Sequence, residues 1–240
     1  MDQLHRVTLL PKPTIMRLLA TLMAAGLVAK GERNIGYRVT SDVQALSSGF
    51  HGGPLVAQAG RPWAYDLTRR LRWPAAIAVR DDARIAISVS TSATSTMSPF
   101  HATIGVRHSL VTRALGRAYL AWCPEEELRI LLRMLEASGD PEDHPPNLER
   151  VVRTMIATTR RDGYALRDPK VEPRSSNTVA VPILLGSSVV GTIGMSFFRS
   201  AVSQRALTQE LVPALRQASR EITVSMERLQ RSEPAPPAPS

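Results

Sequence analysis

The first segment with a clear hydrophobic pattern spans residues 10–28, LPKPTIMRLLATLMAAGLV. Its apolar residues recur at intervals of three and four, which is the period of one helix face. The members of this face are Ile15, Leu18, Leu19, Leu22 and Met23. Pro11 suits the first turn of a helix, and Gly26 suits the left-handed residue that ends one. Residues 27–30 and 35–40 are short β-prone runs around a glycine-containing tip, so a hairpin is predicted after the helix.

Beyond residue 54 the pattern alternates between strand and helix periods. Period-two alternation predicts one hairpin from residues 75–80 and 84–90 and a second from residues 177–185 and 189–198. Helical spacing predicts helices over residues 55–71, 112–122, 147–161 and 205–229, with Thr112 as the N-cap of the second. Hairpins separated by helices predict an α+β domain with an antiparallel or mixed sheet.

Composition suggests the domain boundaries. Residues 1–40 form a small basic unit, and residues 41–53 are predicted to be a linker helix that ends in a Gly-Gly-Pro break. Residues 54–230 are long enough for one sizeable core. Residues 231–240, RSEPAPPAPS, have the composition of a disordered tail.

The charge of the chain favours a polyanionic partner. The 240 residues carry a net charge of +9, with a pI near 10.7. In a helix-turn-helix, the second helix places its first side chains against DNA bases while basic neighbours hold phosphates. The pattern of residues 10–40 is typical of such a recognition helix followed by a wing. The candidate DNA-contacting residues are Arg6, Lys12, Pro13, Thr14, Arg17, Arg33 and Arg38.

Other interpretations of the basic segment remain open. An ordinary amphipathic helix followed by a hairpin would give the same periodicity. A basic surface would also suit anionic lipid or acidic metabolites.

Several classes of protein are disfavoured. The sequence lacks an apolar run of membrane-spanning length and a signal-peptide core, so a cytoplasmic protein without a membrane partner is expected. The single cysteine, Cys123, excludes an intramolecular disulfide and a cysteine-rich zinc site. No nucleophile elbow, metalloprotease motif or phosphate-binding loop occurs in a fitting context. We therefore expect no enzyme activity, no metal and no cofactor.

Three motifs together span nearly the whole chain. Residues 10–28 fit the pattern L-P-K-S-T-x-x-R-L-L, and residues 111–121, VTRALGRAYLA, resemble H-A-T-A-x-G-K-A-x-L-A. Residues 161–164, RDGY, precede segments 177–183 and 190–196 that resemble A-x-A-x-P-I/V and G-x-x-G/S-x-S. The chain thus resembles IclR-family bacterial transcriptional regulators. RWPAAIAV and GRAYLAWCPEEE most resemble the subgroup that activates catabolism of hydroxyphenylpropionates and related aromatic acids.

The resemblance implies the architecture. Family members carry an N-terminal winged helix-turn-helix and a GAF-like effector-binding domain. They also begin with one helix more than is found here, where the sequence opens at MDQLHRVTLL. We therefore expect a winged helix-turn-helix whose first helix is missing, which would leave the apolar faces of the remaining helices short of a partner.

The resemblance also implies a binding site for a small effector. Its positions correspond here to Thr112, Arg113, Ala114 and Leu115 on a helix start, and to Thr178, Gly194 and Ser196 on the sheet. An arginine at a helix N-terminus is disfavoured by the helix dipole, and a bound carboxylate would offset this. We expect a small aromatic carboxylate, with its ring against Leu115, Ile77 and Met195.

A solvent-facing Arg113 is the alternative to this site. His101 and His108 are further candidate partners for the acid or a phenol, although a lone histidine in a loop is more often a surface residue.

Assembly and function are expected to be linked. Helix-turn-helix proteins usually bind two half-sites as dimers. Apolar seams at Val43, Leu46 and Phe50 and along residues 207–222 predict a homodimer or homotetramer.

The expected function is a DNA-binding regulator under effector control. The alternative is a small-molecule-binding module whose DNA-binding unit is non-functional.

Overall fold

A computed structural model describes residues 2–31, 36–40, 42–43, 54–99, 104–143 and 145–232. The chain forms two compact units, a small unit of residues 1–52 and a large unit of residues 53–240. Each unit is described by itself. The tip at residues 32–35, most of the predicted linker helix and residues 233–240 of the predicted tail lie outside the described residues, whereas Arg231 and Ser232 belong to the last helix.

The described residues of the small unit form two helices followed by a hairpin. Helix α1 spans Asp2–Thr8, and helix α2 spans Lys12–Ala24. Strand β1, Val28–Lys30, pairs antiparallel with strand β2, Tyr37–Val39. Gly26 has φ +73°, which only glycine adopts at little cost, and it turns the chain from α2 into the hairpin.

The apolar face of α2 is only partly covered. Ile15 is the one member that is buried, at 4% exposure, whereas Leu18 and Leu22 are 49% and 39% exposed. On α1 and the turn after it, Val7 and Leu9 are 78% and 82% exposed. Two short helices and a two-stranded hairpin offer too little surface to bury these side chains.

The large unit is built on a six-stranded antiparallel sheet with the order β5-β4-β3-β8-β7-β6. Its strands are β3 (Ala75–Asp81), β4 (Arg84–Ser90), β5 (Arg107–Ser109), β6 (Ala165–Leu166), β7 (Ser176–Leu185) and β8 (Ser188–Phe198). The two predicted hairpins are confirmed, and β3 and β8 join them at the centre of the sheet. Gly186, with φ +60°, forms the tight turn between β7 and β8.

Helices pack on both faces of the sheet. On one face lie α3 (Leu55–Leu71) and a C-terminal helical stretch, in which α7 (Gln204–Ala206) continues through a π-helical turn (Leu207–Leu211) into α8 (Val212–Ser232). On the other face lie α4 (Ala114–Trp122), α5 (Glu125–Glu136) and α6 (Leu148–Asp162). We call these the α3/α8 face and the α4 face. Each face buries its own hydrophobic cluster.

One predicted assembly surface is wrong. The apolar seam of residues 207–222 lies in the core rather than on the surface, because it packs onto the sheet and α3. Its members Leu215 and Ile222 are fully buried. Of the second seam only Val43 falls within the described residues, and it is half-buried. Among the described helices, none is long and apolar enough to span a membrane.

Candidate functional site

The start of helix α4 carries the first predicted effector residues. Arg113 is the N-cap residue, and its side chain makes no capping hydrogen bond. The prediction of Thr112 as the N-cap is wrong, because its hydroxyl donates instead to Glu142 Oε2 at 2.8 Å. The carbonyl oxygen of Thr112 accepts the Asp168 N–H at 2.9 Å. This bond ties the start of α4 to the chain that leaves strand β6.

The guanidinium of Arg113 holds a carboxylate. Arg113 Nη2 lies 2.6 Å from Glu142 Oε1, and Arg113 Nε lies 3.2 Å from Glu142 Oε2. Glu142 belongs to a 3-10 turn, Pro141–Asp143, between α5 and α6. The pair is a bidentate fork, the geometry in which arginine binds carboxylates most strongly. A carboxylate site is therefore present at this helix start, and a side chain of the same chain occupies it.

The sheet supplies the second group of predicted residues. Thr178 on β7 and Ser196 on β8 are register partners, and their hydroxyl oxygens are 2.9 Å apart. The carbonyl of Thr178 accepts the N–H of Arg167, the residue directly before Asp168. Arg167 is bonded to Thr178 and Asp168 to Thr112, so these two consecutive residues link the hydroxyl pair on the sheet to the start of α4.

Gly194 and Leu115 are in close contact on the α4 face. A Cβ atom placed on Gly194 would lie 3.1 Å from Leu115 Cδ2 and 2.7 Å from the carbonyl oxygen of Val179. Ala114 is also buried in the cluster on this face. Leu115 thus covers Gly194, and an aromatic ring could lie against this glycine only if Leu115 moved away.

Two predicted residues lie on the opposite face of the sheet. Ile77 and Met195 are fully buried in the cluster of the α3/α8 face, whereas Leu115 belongs to the cluster of the α4 face. Successive residues of a strand point to opposite faces, so Gly194 and Met195 cannot face the same space. The structure does not bring Ile77 and Met195 together with the other predicted residues.

Sequence reasoning missed two arginines near the site. Arg167 is 3% exposed, and its Nη2 donates to the Pro173 carbonyl at 2.6 Å and to Ser176 Oγ at 3.2 Å. Arg117, one turn after Arg113, donates from Nη1 to the Leu166 carbonyl at 2.8 Å. Isolated arginines in a sequence are typical of surfaces, and nothing in their spacing marks Arg167 as buried or Arg117 as half-buried.

The charges around Arg113 shift the pKa values of its neighbours. Burial raises the pKa of Glu142, but hydrogen bonds from Arg113 and Thr112 outweigh it, and the net shift is downward. Burial, together with the positive charges of Arg113 and Arg84, lowers the pKa of His108, against an opposing effect of Glu142. At neutral pH Glu142 is therefore ionised and His108 is neutral. His101 lies outside the described residues.

Two surface cavities lie away from these residues. One, of about 630 Å³, is lined mainly by α3 and the segment after β4. Its lining residues are Pro62, Tyr65, Asp66, Thr68, Arg69, Arg72, Thr94, Ser95 and Thr96. The other, of about 590 Å³, lies between the end of α5 and the start of α6. Neither cavity includes Arg113 or the Thr178–Ser196 pair.

Comparison with known proteins places the large unit in a family. Residues 54–224 match the profile of the bacterial transcriptional regulator IclR C-terminal family. The chain belongs to the IclR family. It is an IclR-type transcriptional regulator with an effector-binding domain, and the family is one of transcriptional regulators rather than enzymes.

Relatives and solved structures agree with this assignment. The regulator is 25% identical to the HTH-type transcriptional regulator XynR of Escherichia coli K12 over 199 residues, 82% of this chain and 78% of XynR. A crystal structure of a protein from Rhodococcus sp. RHA1 has a TM-score of 0.72 and 24% identity, covering 95% of this chain and 90% of that one. An IclR homologue from Microbacterium hydrocarbonoxydans, crystallised with 4-hydroxybenzoate, has a TM-score of 0.68 and 18% identity, with 95% and 90% coverage.

The small unit of this regulator presents most of the predicted DNA-contacting residues at its surface. Lys12, Pro13, Thr14 and Arg17 are exposed in the first half of α2, as are Arg6 on α1 and Arg38 on β2. Lys12 Nζ lies 2.7 Å from Asp2 Oδ1, in an ion pair between two exposed side chains. An ion pair between two exposed side chains contributes little to stability. Arg33 lies outside the described residues.

The single cysteine of the regulator is not a reactive group. Cys123 is 3% exposed, and burial raises the pKa of its thiol to about 12. The thiolate, which is the nucleophilic form, is therefore almost absent at neutral pH. Within the described residues, no group of three or more His, Cys, Asp and Glu side chains is arranged to hold a metal ion.

Proposed function

We propose that this IclR-type regulator binds double-stranded DNA through a winged helix-turn-helix and that a small aromatic carboxylic acid controls it. The observation that carries the proposal is the fork between Arg113 and Glu142, because it is a formed carboxylate site at a helix start. The catabolism of hydroxyphenylpropionates and related aromatic acids is the proposed regulatory context.

The order of helices and strands in the small unit and the exposed polar side chains of α2 support DNA binding. Helix α2 follows α1 after three residues, and its first half exposes a lysine, a threonine and an arginine. The hairpin of β1 and β2 follows it as a wing. Thr14 and Arg17 are proposed to face base edges, because the N-terminal half of a recognition helix enters the major groove. Arg6, Lys12 and Arg38 are proposed to hold phosphates, which makes binding dependent on salt.

Replacing Arg17 with alanine is expected to weaken binding to the best DNA site by about 1–3 kcal/mol, or roughly 5- to 150-fold. The loss is expected to be smaller on random duplex, because a base contact contributes only where the correct base is present. Fluorescence anisotropy with a duplex selected from a randomised pool would measure both affinities. Arg129→Ala, at an exposed position of α5 in the large unit, serves as the control. An equal loss on selected and random DNA would contradict a base-reading role for Arg17.

The effector is proposed to bind between Arg113 and the hydroxyl pair of Thr178 and Ser196. Its carboxylate would take the place of the Glu142 carboxylate on Arg113 and Thr112, and a ring hydroxyl would reach Thr178 or Ser196. The 4-hydroxybenzoate in the Microbacterium structure has both of these groups, an acid and a phenol. The ring would require Leu115 to move away from Gly194. Ile77 and Met195 have no part in this proposal, since they lie on the other face.

Replacing Arg113 with alanine is expected to reduce the affinity for 4-hydroxybenzoate about 10- to 150-fold, which corresponds to the roughly 1.5–3 kcal/mol of a charged hydrogen bond. Calorimetry with a panel of benzoates and phenylpropionates would measure it. The matched control is Arg153→Ala, which removes an arginine paired with Glu125 and Glu149 on an exposed surface. Unchanged affinity for every acid would place the carboxylate elsewhere, and a preference for neutral analogues would exclude an acid effector.

A homodimer or homotetramer remains part of the proposal. Its support is the pairing of two half-sites by helix-turn-helix units. The buried seam of residues 207–222 no longer contributes to it.

A further inference from the structure

We propose that Glu142 is an internal competitor of the effector, a residue that sets the affinity and the charge selectivity of the site by occupying Arg113 until an acid displaces it. This inference rests on the proposed function. It concerns the segment of residues 138–143, which we call the strap.

The contacts of Glu142 are those expected of a bound ligand carboxylate. Both of its oxygens are engaged by the start of α4, Oε1 by Arg113 Nη2 and Oε2 by Arg113 Nε and the Thr112 hydroxyl. One guanidinium edge binds one carboxylate in this fork geometry. An aromatic acid that uses the same edge must therefore replace Glu142.

The rest of the strap is held independently of Arg113. Arg84 Nη2 lies 2.5 Å from Asp140 Oδ2 and 3.2 Å from Asp143 Oδ2. The Ser138 hydroxyl also donates to Asp143 Oδ2, at 2.8 Å. With these anchors at Asp140 and Asp143, Glu142 can leave Arg113 without the strap detaching from the sheet.

Release of Glu142 does not leave a buried charge behind. Its side chain is 36% exposed in the paired state, so the released carboxylate can be hydrated by water. The exchange replaces the ion pair of Arg113 with Glu142 by an ion pair of Arg113 with the acid. Its free-energy cost is the difference in stability between these two pairs. A neutral ligand brings no charge to Arg113 and cannot compensate for the lost pair.

The competition has a defined size. The apparent dissociation constant equals the intrinsic one divided by the fraction of molecules in which the site is open. If the internal pair is closed about ten times as often as it is open, removing the competitor tightens binding about tenfold. The gain requires Arg113, because without the guanidinium there is no shared partner.

The test is a double-mutant cycle with 4-hydroxybenzoate as the probe, followed by calorimetry at up to millimolar ligand. Glu142→Gln is expected to bind the acid about tenfold more tightly than the wild type, because the amide is a weaker partner for Arg113. In the Arg113→Ala background, the same substitution is expected to change the affinity less than twofold. Glu149→Gln, the same change in charge at an exposed pair on α6, is the control and is expected to have no effect.

Each outcome supports the inference or overturns it. It falls if Glu142→Gln binds within twofold of the wild type, including the case in which neither protein binds. It also falls if the gain persists in Arg113→Ala, since simple charge repulsion by Glu142 would then explain it. When Arg113→Ala abolishes binding and Glu142→Gln has no effect, the proposed effector site stands without the competitor. When neither the wild type nor Glu142→Gln binds any aromatic acid, the competitor role of Glu142 and the proposed aromatic-acid site are both ruled out.

Discussion

Replacing Arg84 with alanine is expected to lower the free energy of unfolding of the large unit by about 3 kcal/mol, because it leaves a buried carboxylate without its cation. The Asp143 side chain is fully buried, and Arg84 Nη2 lies 3.2 Å from its Oδ2. Removing one partner of a buried ion pair typically costs about 3–5 kcal/mol. Arg84 itself is 22% exposed, so water can partly replace it, and the lower end of that range is expected.

Urea unfolding followed by tryptophan fluorescence would measure this loss. The three tryptophans, Trp63, Trp73 and Trp122, all lie in the large unit, so the signal does not report on the small unit. The control is Arg107→Ala, whose partner Asp81 is 47% exposed and which should cost less than about 1 kcal/mol.

A second substitution tests the cause of the Arg84 effect. Adding Asp143→Asn to Arg84→Ala removes the buried charge, so the double variant is expected to be more stable than Arg84→Ala alone. Equal losses for Arg84→Ala and Arg107→Ala, or no recovery in the double variant, would show that the burial of Asp143 does not matter.

Replacing Gly116 with alanine is expected to destabilise the large unit by about 2–3 kcal/mol, although alanine is normally the better helix former. A Cβ atom at this position would lie 2.5 Å from Leu110 Cα and 2.6 Å from the Ser109 carbonyl oxygen. Both atoms belong to the backbone and cannot rotate away. Helix α4 would have to move away from Ser109 and Leu110, and this would shift Thr112 and Arg113, which connect them to the helix.

Gly139→Ala is the matched control for this substitution. Nothing lies within 4 Å of a Cβ atom placed there, so the change is expected to be nearly neutral. The same urea titrations give both values, and 4-hydroxybenzoate affinity should fall for Gly116→Ala, because the displaced α4 carries Arg113 at its start. If Gly116→Ala unfolded with the same free energy as the wild type, α4 could move away from residues 109–110 without loss of stability, and the prediction would be wrong.

Much of the fold of the large unit could be predicted from local sequence patterns. The hairpins β3–β4 and β7–β8 were predicted to within a residue or two, because strand alternation and turn residues are encoded by neighbours along the chain. The hairpins predicted an antiparallel or mixed sheet, and the structure shows that all its strand pairs are antiparallel.

The site was predicted less completely. The resemblance grouped Thr112 and Arg113 with Thr178 and Ser196, and backbone hydrogen bonds through Arg167 and Asp168 connect these two segments. That they bind an effector stays a prediction. The inclusion of Ile77 and Met195 is not supported by their positions, because strand parity puts them on the face opposite Leu115. A resemblance between motifs identifies segments, but the face to which each side chain points depends on the register of the sheet.

The sequence by itself determined the elements that depend on neighbouring residues. These are the amphipathic helix α2, the two hairpins of the large unit and the basic character of the small unit. Only the tertiary structure decided which distant groups meet. The Arg113–Glu142 fork joins residues 29 positions apart, and residues 207–222 are buried by packing against α3 and the sheet. Such contacts depend on how separate elements pack, and local periodicity carries no information about the partner of a charged side chain or of an apolar face.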